Sequence, residues 1–339
     1  MGPKSSTDAS TSGSTDGGAD GGARGGAGAA PVAGSGRMHE DELDLDEGLV
    51  ARLVAARFPR WAGLPVRRVA SSGTDNAMFR LGEALAVRLP RAPWAGAAVE
   101  AEARWPALLA PHLPVTVPVP LEVGEPAEGY PLRWSVHRWL PGHNPEVGRV
   151  VEPERLAGEL GAFVRALRSV EPRPGAPRAR RGVPLAERDA ETRDALRQLA
   201  ELPPGAESLD VAAATAVWEE ALALPGYAGP DRWLHGDISP GNVLVSDDGR
   251  LSAVIDFGGV GVGDPTVDLL VAWNLLPAGA RGAFRAAVGA DEATWLRGRA
   301  WALSVALIQL PYYRITNRAL AANSRHVIGE VLADHRRAG

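Results

Sequence analysis

The amino-acid sequence predicts an α+β fold of two lobes, in which a small antiparallel β-sheet lobe precedes a larger, mainly helical lobe. Short apolar runs separated by turn residues fill the first half of the chain. Helical periodicity fills most of the second half, and a single β-hairpin interrupts it. The predicted organisation is a Gly/Ser/Ala-rich tail over 1–37, an N-terminal lobe with a leading helix over 38–140, and a C-terminal lobe over 141–339.

The tail is rich in Gly, Ser, Ala and Asp and contains almost nothing that could be buried. Such a segment cannot offset the entropy lost on ordering, so we expect it to be disordered. An upstream start codon, with Met38 as the true first residue, is an equal alternative to a genuine flexible tail.

The N-terminal lobe is predicted to begin with a helix and to continue with short strands. In the stretch DLDEGLVARLVAARF the leucines recur at helical spacing, and Asp44 is a suitable N-cap. Strands are expected in PVRRVASS, NAMFRLG and LAVRLPR, and again around 121–123 and 132–139. A helix over 95–109 is expected between these two groups of strands.

The C-terminal lobe is predicted to be mostly helical. Apolar residues at helical spacing predict helices over 153–170, 186–201, 209–223 and within 265–335. A Pro/Arg-rich loop, 171–184, separates the first two of these helices. Its arginines could steer an anion, but a solvated loop is the favoured interpretation; they are Arg178, Arg180 and Arg181.

Composition excludes several classes of function. A formal net charge of −5 argues against an electrostatic nucleic-acid binder, and the absence of cysteine excludes disulfides, thiolate zinc sites and cysteine nucleophiles. No apolar run approaches the roughly 20 residues that a membrane span needs, and the N-terminus lacks the apolar core of a secretory signal. We expect a soluble cytoplasmic protein without nucleic-acid or membrane partners.

The stretch WLHGDISPGNVLV places His235, Asp237 and Asn242 in one short loop. Two strand-like runs follow, joined by the turn sequence DDGR, which is a strong hairpin signal. An antiparallel hairpin returns the chain to its start, so Asn242 and Asp256 should emerge at the same end. Their amide and carboxylate oxygens are hard ligands that suit Mg²⁺ carried by substrate phosphates.

The ordered set is HGD, an Asn five residues after that Asp, a hairpin and then Asp-Phe-Gly. It resembles the motifs of aminoglycoside phosphotransferases and choline-kinase-like small-molecule kinases, which share the protein-kinase fold. The resemblance covers residues 64–335 and rests chiefly on HGDISPGNVLV and VIDFGGVGVGDPTVDL. It points away from protein substrates, because HGD replaces the His-Arg-Asp of protein kinases and no Ala-Pro-Glu follows.

The resemblance implies transfer of the γ-phosphate of ATP or GTP, with Mg²⁺, to a hydroxyl of a small molecule. The expected acceptor is an antibiotic of aminoglycoside or macrolide type. Two alternatives are a metabolite kinase of the choline or homoserine-kinase-like group and a non-catalytic nucleotide-binding relative. A third alternative is an unrelated metal-dependent hydrolase, but such a site would need more His or carboxylate ligands than this cluster contains.

Roles in the catalytic loop also follow from the resemblance. Asp237 would accept the hydroxyl proton of the substrate, while Asn242 and Asp256 would hold Mg²⁺. His235 belongs to the same catalytic motif and is interpreted as a residue that organises the loop. Such a set suits a reaction whose loose transition state needs alignment and charge neutralisation rather than a nucleophilic side chain.

The strand LAVRLPR directs Arg88 to the face opposite its apolar neighbours. The resemblance implies that Arg88 grips the α- and β-phosphates and pairs with a helix Glu, which is Glu102 or, as a fallback, Glu100. The family normally has a Lys at the position of Arg88. Arg forks well onto phosphate oxygens, but the change leaves the nucleotide geometry and preference open.

Two further stretches are expected to touch the nucleotide. The loop SSGTDN could present backbone N–H groups to phosphates through Ser72, Gly73 and Thr74. SVHRWL occupies the inter-lobe hinge, where the purine edge is expected at Arg138, Trp139 and Leu140. The sequence contains no G-x-x-x-x-G-K-[ST] motif, which excludes P-loop chemistry.

Other polar residues have mainly structural interpretations. Asp264 precedes a proline and is expected to cap the next helix, while Asp268 is expected to brace the catalytic loop, as in relatives. Acidic and aromatic side chains of the C-terminal lobe could meet an acceptor, although surface or core roles are favoured for each of them. These are Asp189, Glu191, Asp291, Tyr312 and Tyr313.

Overall fold

The computed structural model describes residues 43–69, 75–203, 207 and 209–338. The predicted tail and the predicted phosphate-loop residues Ser72, Gly73 and Thr74 lie outside the described residues. Within the described ranges, no helix is long and apolar enough to cross a membrane.

The first part of the chain forms an antiparallel sheet flanked by two helices. Its elements are α1 (Glu47–Arg57), β1 (Val66–Arg68), β2 (Asn76–Leu81), β3 (Leu85–Pro90), α2 (Ala97–Leu109), β4 (Pro120–Gly124) and β5 (Trp134–Arg138). Among the described residues the strand order is β1-β2-β3-β5-β4. All neighbouring strands in this sheet are antiparallel, as the sequence predicts.

The register of this sheet sorts its side chains into two faces. Arg88 of β3 lies opposite Ser135 of β5, and Ala86 lies opposite His137. Cross-strand partners point to the same face, so Arg88, Ser135 and His137 share one side of the sheet. The other side carries the apolar set that includes Phe79, Val87 and Val136.

Helix α1 covers the apolar side of the sheet. Leu49, Val50 and Leu53 of α1 are buried in one cluster with the apolar side chains of β2, β3 and β5. Each such buried side chain contributes about 1.5–3 kcal/mol relative to exposure. The helix is capped by Asp46, whose Oδ1 accepts from the N–H of Leu49 at 2.6 Å. The predicted cap at Asp44 is therefore wrong by two residues.

The second part of the chain is mainly helical. Its elements are α3 (Pro153–Ser169), α4 (Asp189–Ala200), α5 (Val211–Leu222), β6 (Arg232–Leu234), β7 (Val243–Val245), β8 (Leu251–Val254), β9 (Gly261–Gly263), α6 (Val271–Asn274), α7 (Arg281–Val288), α8 (Glu292–Thr316) and α9 (Arg318–Ala338). Helix α3 packs along α7, and α8 packs along α9. The largest buried cluster lies among these helices and includes the fully buried Phe163, Trp218 and Trp301.

The interpretation of 171–184 as a solvated loop fits the exposed Arg178 and Arg180 but not Arg181, and the backbone of the second half is anchored. Residues 177–182 run beside β9 and make three backbone hydrogen bonds with it and with Asp264. Val262 donates to Pro177 at 2.8 Å, Ala179 donates to Val262 at 3.1 Å, and Asp264 donates to Gly182 at 2.8 Å. The close approach depends on glycine, because a Cβ at Gly261 would lie 2.6 Å from the backbone N of Ala179.

Candidate active site

The β7–β8 hairpin brings Asn242 and Asp256 to the same end. Val243 pairs with Val254, so Asn242 lies opposite Ile255 and Asp256 follows one residue later. The N–H of Ile255 donates to the carbonyl of Asn242 at 2.9 Å, which continues the ladder one step past the strands. Asn242 and Asp256, which are 14 positions apart in the sequence, thus come to the same end of the hairpin.

Asn242 also contacts the loop that carries Asp237. Its Nδ2 donates to the Asp237 backbone carbonyl at 2.9 Å and to the Asp237 carboxylate Oδ2 at 3.2 Å. The amide nitrogen therefore positions Asp237, and Oδ1 of Asn242 is the atom that remains for a cation. The Asp237 side chain is 45% exposed, so a substrate can reach it.

His235 is fully buried and ties the loop to the hairpin. Its Nε2 lies 3.0 Å from the carbonyl of Ile255, and its Nδ1 lies 3.2 Å from the N–H of Asp237. A carbonyl can only accept and an N–H can only donate, so these partners assign the ring proton to Nε2. The ring packs edge-on against Phe257 at 4.8 Å. His235 organises the loop in this structure and does not face the cleft as a ligand.

Asp268 holds the backbone of the same loop in place. Its two carboxylate oxygens accept from the N–H groups of His235 at 2.8 Å and Gly236 at 2.7 Å. Burial raises the pKa of Asp268, and these two hydrogen bonds together with His235 act against that rise. Asp264 caps the following turn by accepting from the N–H of Thr266 at 2.9 Å, as expected from the sequence.

Arg88 joins the sheet to the hairpin through two carboxylates. Its Nη1 lies 2.5 Å from Glu102 Oε1 on α2, and its Nη2 lies 2.7 Å from Asp256 Oδ1. With its carboxamide oxygen turned toward the guanidinium, Asn76 adds a third acceptor at 2.8 Å from Nη2. Burial would lower the pKa of Arg88, but the charges of Glu102 and Asp256 raise it above its ordinary value.

Asp256 occupies an unusual backbone conformation at this junction. Its φ of 67° and ψ of 70° lie in the left-handed region, which costs a non-glycine residue about 1–3 kcal/mol. Removal from water would raise the pKa of its carboxyl, but the charge and hydrogen bond of Arg88 hold that pKa below its usual range. The side chain keeps 42% exposure, so an ionised carboxylate is open to solvent.

The charge state of Glu102 gives a test of this cluster. Burial raises the pKa of Glu102 to about 7, although Arg88 acts to lower it. Between about pH 4.5 and 7 the native state then binds more protons than the unfolded chain, so this group makes the free energy of unfolding fall as pH rises. We expect Glu102→Gln to remove that decline, as measured by urea unfolding at pH 5, 6, 7 and 8.

The control for this pH series is Glu100→Gln. Glu100 contacts Arg133 on the surface, with a side chain that is 67% exposed, so its replacement should leave the wild-type pH dependence in place. Parallel pH profiles for wild type and Glu102→Gln would contradict a raised pKa at Glu102. Of the two candidate partners of Arg88, Glu102 contacts it directly, whereas Glu100 is exposed and pairs with Arg133.

The hinge residues are placed differently from one another. Arg138 ends β5 with an exposed side chain, and its position in the register puts it on the face opposite Arg88. The N–H of Trp139 donates to the carbonyl of Ala84 at 2.8 Å, so this group is already used. Leu140 is partly buried. A purine contact through Arg138, Trp139 or Leu140 stays a prediction.

His137 of the same strand was not identified as a candidate site residue from the sequence. It is 5% exposed on the face of Arg88, and its Nε2 lies 2.8 Å from the hydroxyl of Ser135. Burial, with the charge of Arg88, lowers the pKa of His137 to about 3, so the ring is neutral at physiological pH. The β3–β5 register was the missing information, because it alone shows which residues of SVHRWL face Arg88.

The residues considered for acceptor binding are engaged elsewhere. Asp189 accepts from Trp218 Nε1 at 2.8 Å and from Arg193, and Asp291 caps α8 through the N–H of Thr294 at 2.7 Å. Glu191 contacts Arg188 at 2.6 Å. On α8, Tyr312 and Tyr313 stack edge to face at 4.7 Å. The carboxylates thus have the structural roles that the sequence analysis favoured.

A magnesium site at Asn242 and Asp256 stays a prediction. Across the described residues, no group of three His, Cys, Asp or Glu side chains could hold a metal ion. The protein's own donors here are one amide oxygen and one carboxylate, which suits Mg²⁺ brought in by phosphates and not an all-protein cage. The residues present therefore fit a nucleotide-borne Mg²⁺.

Comparison with known proteins identifies the family. Residues 66–301 match the model of the phosphotransferase enzyme family. Among solved structures, aminoglycoside 2′-phosphotransferase-IIIa is 18% identical, with a TM-score of 0.67 over 86% of this chain and 100% of its own. A macrolide 2′-phosphotransferase from Brachybacterium faecium is 25% identical, with a TM-score of 0.56 over 84% of this chain and 98% of its own.

These neighbours confirm the predicted fold class and the family resemblance. A second macrolide 2′-phosphotransferase, of type I, has a TM-score of 0.58 at 18% identity and covers 82% of this chain and 95% of its own. A search of the curated proteins gave no match. The family model spans the sheet, Arg88, the catalytic loop and the hairpin. The chain belongs to the phosphotransferase enzyme family.

Proposed function

We propose that this protein transfers the γ-phosphate of ATP or GTP to a hydroxyl group of a small molecule. One observation carries the proposal. Asp237, Asn242 and Asp256 lie at one end of the hairpin, and a buried guanidinium, Arg88, reaches the same point from the sheet. From this arrangement we infer a proton acceptor, two metal-ligand oxygens and a fixed positive charge close together, which is the set that phosphoryl transfer needs.

In the proposed reaction Asp237 orients the acceptor hydroxyl and takes its proton. The acceptor oxygen forms a bond to the γ-phosphorus as the bond from that phosphorus to the β-phosphate oxygen breaks, releasing the nucleoside diphosphate. Asn242 and Asp256 would hold Mg²⁺, which would neutralise charge on the phosphate oxygens. Arg88 contributes a second positive charge and stays aligned through Glu102.

The comparisons support a nucleotide as the donor. The neighbouring aminoglycoside 2′-phosphotransferase-IIIa was solved with GDP, a related aminoglycoside phosphotransferase with ADP, and another with streptomycin and ATP. We infer the same class of donor here, without a preference between adenine and guanine. A cytoplasmic location, where both nucleoside triphosphates are available, suits this activity.

For the acceptor we propose an antibiotic of aminoglycoside or macrolide type. The solved neighbours include complexes with kanamycin and gentamicin, and two macrolide phosphotransferases. A metabolite kinase of the choline or homoserine-kinase-like group uses the same catalytic set and differs only in the acceptor. Because the carboxylates of α4 and α8 are engaged in structural contacts, they do not favour a polycationic acceptor over these others.

The test is nucleotide consumption against an acceptor panel. Purified protein with Mg²⁺ and either ATP or GTP is incubated with kanamycin, gentamicin, a macrolide, choline or homoserine. The masses of the products are then measured by mass spectrometry. We expect one class of acceptor to gain a phosphate while the nucleotide loses one. Nucleotide binding without consumption would favour the non-catalytic alternative, and an acceptor that is cleaved without gaining phosphate would favour a hydrolase.

A further inference from the structure

The segment 177–182 brings one arginine to the proposed proton acceptor. Arg181 forms an ion pair with Asp237 Oδ1, and the same guanidinium nitrogen donates to the carbonyl of Gly236 at 3.0 Å. Gly236 and Asp237 are consecutive residues of the catalytic loop. A single side chain from outside that loop therefore holds both the backbone and the carboxylate at the centre of the site.

The backbone that carries Arg181 is fixed by its neighbours. Ala179 and Gly182 lie on either side of Arg181. The N–H of Ala179 donates to the carbonyl of Val262, and the carbonyl of Gly182 accepts from the N–H of Asp264. Gly263 permits the contact, because a Cβ there would lie 2.6 Å from the carbonyl oxygen of Gly182. Ala179 is buried, and the Arg181 side chain is 28% exposed, so the guanidinium projects from a loop segment that backbone hydrogen bonds anchor to its neighbours.

Together, Arg181 and Asn242 engage both carboxylate oxygens of Asp237. Arg181 takes Oδ1, and the Nδ2 of Asn242 takes Oδ2 at 3.2 Å. A carboxylate oxygen has about two lone-pair positions, so each oxygen keeps one for a substrate hydroxyl. Two contacts on opposite oxygens fix the rotation of a side chain that is 45% exposed and would otherwise reorient.

We propose that Arg181 is a positioning residue for phosphoryl transfer, which sets the orientation of the Asp237 carboxylate toward the acceptor hydroxyl. The inference rests on the proposed function, since it needs Asp237 to be the proton acceptor. Arg181 acts through Asp237. Its effect should therefore appear in kcat, while the nucleotide contact proposed for Arg88, which pairs with Asp256 and not with Asp237, should be untouched.

A purely structural role for the ion pair makes a different prediction. It predicts a lower midpoint of thermal unfolding in Arg181→Gln, whereas a partly exposed ion pair is expected to add little stability. Arg178 supplies the matched control in the same segment. Its side chain is 71% exposed and pairs with Asp231, away from the catalytic loop, so Arg178→Gln removes an equal charge without touching Asp237.

The experiment is a double-mutant cycle with Arg181→Gln and Asp237→Asn. Turnover is followed as inorganic phosphate released from ATP and from GTP with Mg²⁺ and water as the acceptor, and as phosphate transferred to kanamycin and to a macrolide. Nucleotide affinity and the midpoint of thermal unfolding are measured on each variant. Arg181→Lys tests whether a conservative cation restores part of the rate.

We expect Arg181→Gln to lower kcat about 10- to 100-fold with KM for the nucleotide changed less than about twofold. In the Asp237→Asn background the same change should have almost no further effect, because the group through which Arg181 acts is already lost. Arg181→Lys should recover part of the rate, and Arg178→Gln should match wild type.

Two results would overturn the inference while leaving the proposed function standing. One is an equal loss of kcat from Arg181→Gln in both backgrounds. The other is a raised KM for the nucleotide with kcat unchanged. If wild type transfers no phosphate to water or to any acceptor of the full panel, choline and homoserine included, the proposed function fails and the role of Arg181 falls with it.

Discussion

Replacing Asp237 with Asn should lower kcat about 10²- to 10⁴-fold, the range observed when a positioned proton acceptor is removed. The change keeps the size of the side chain and its contact with Asn242, but an amide cannot take up the hydroxyl proton. It also removes the partner of Arg181. Nucleotide affinity should be nearly unchanged, because Arg88, Asn242 and Asp256 are intact.

The measurement is steady-state turnover together with equilibrium binding of ATP and GTP. Asp247→Asn is the matched control, since it makes the same chemical change in the hairpin turn, where the Asp247 side chain is fully exposed. It should match wild type in both measurements. Asp237→Asn with the turnover of wild type would remove Asp237 from the role of proton acceptor.

Replacing Arg88 with Met should give the largest loss of stability among the substitutions considered. The change leaves Glu102, which is 3% exposed, without its cation and leaves Asp256 without its only described ion-pair partner. Breaking one side of a buried ion pair costs about 3–5 kcal/mol in the free energy of unfolding. The loss should be smaller at pH 5 than at pH 8, because Glu102 can neutralise itself by binding a proton.

Urea unfolding at the two pH values measures this effect. Arg133→Met is the control, because Arg133 also pairs with two glutamates, Glu100 and Glu125, but on the surface. It should change the free energy of unfolding by about 1 kcal/mol or less. Arg88→Lys should fall between wild type and Arg88→Met, since a single ammonium cannot fork between Glu102 and Asp256. Equal losses for Arg88→Met and Arg133→Met would contradict a buried, doubly paired guanidinium.

The sequence was informative where local rules decide the geometry. The DDGR turn was enough to predict that Asn242 and Asp256 come to the same end of the hairpin, because an antiparallel hairpin returns the chain to its start even though the register shifts between Leu244 and Val245. The alternation of β3 was enough to direct Arg88 away from the apolar core. At α1, by contrast, Asp44 and Asp46 both satisfy the local rules for an N-cap, and these rules do not distinguish Asp46, which caps the helix, from Asp44.

The remaining features depend on contacts between distant parts of the chain. The contact from Arg88 to Asp256 joins residues 168 positions apart, so no local pattern predicts it. The anchoring of 177–182 depends on β9, where Gly261 and Gly263 leave room for a neighbouring backbone. In the sequence, the spacing of those glycines is the available sign that another backbone segment packs closely there. The sequence does not identify which segment that is.

The most direct test of the proposed site is a crystal structure with Mn²⁺ in place of Mg²⁺ and a non-hydrolysable ATP or GTP analogue. We predict an anomalous Mn²⁺ peak about 2.0–2.3 Å from Asn242 Oδ1 and an Asp256 carboxylate oxygen, with the terminal phosphate facing Asp237. A nucleotide bound elsewhere, or a metal peak away from both Asn242 and Asp256, would contradict the proposal that these residues form a phosphoryl-transfer site.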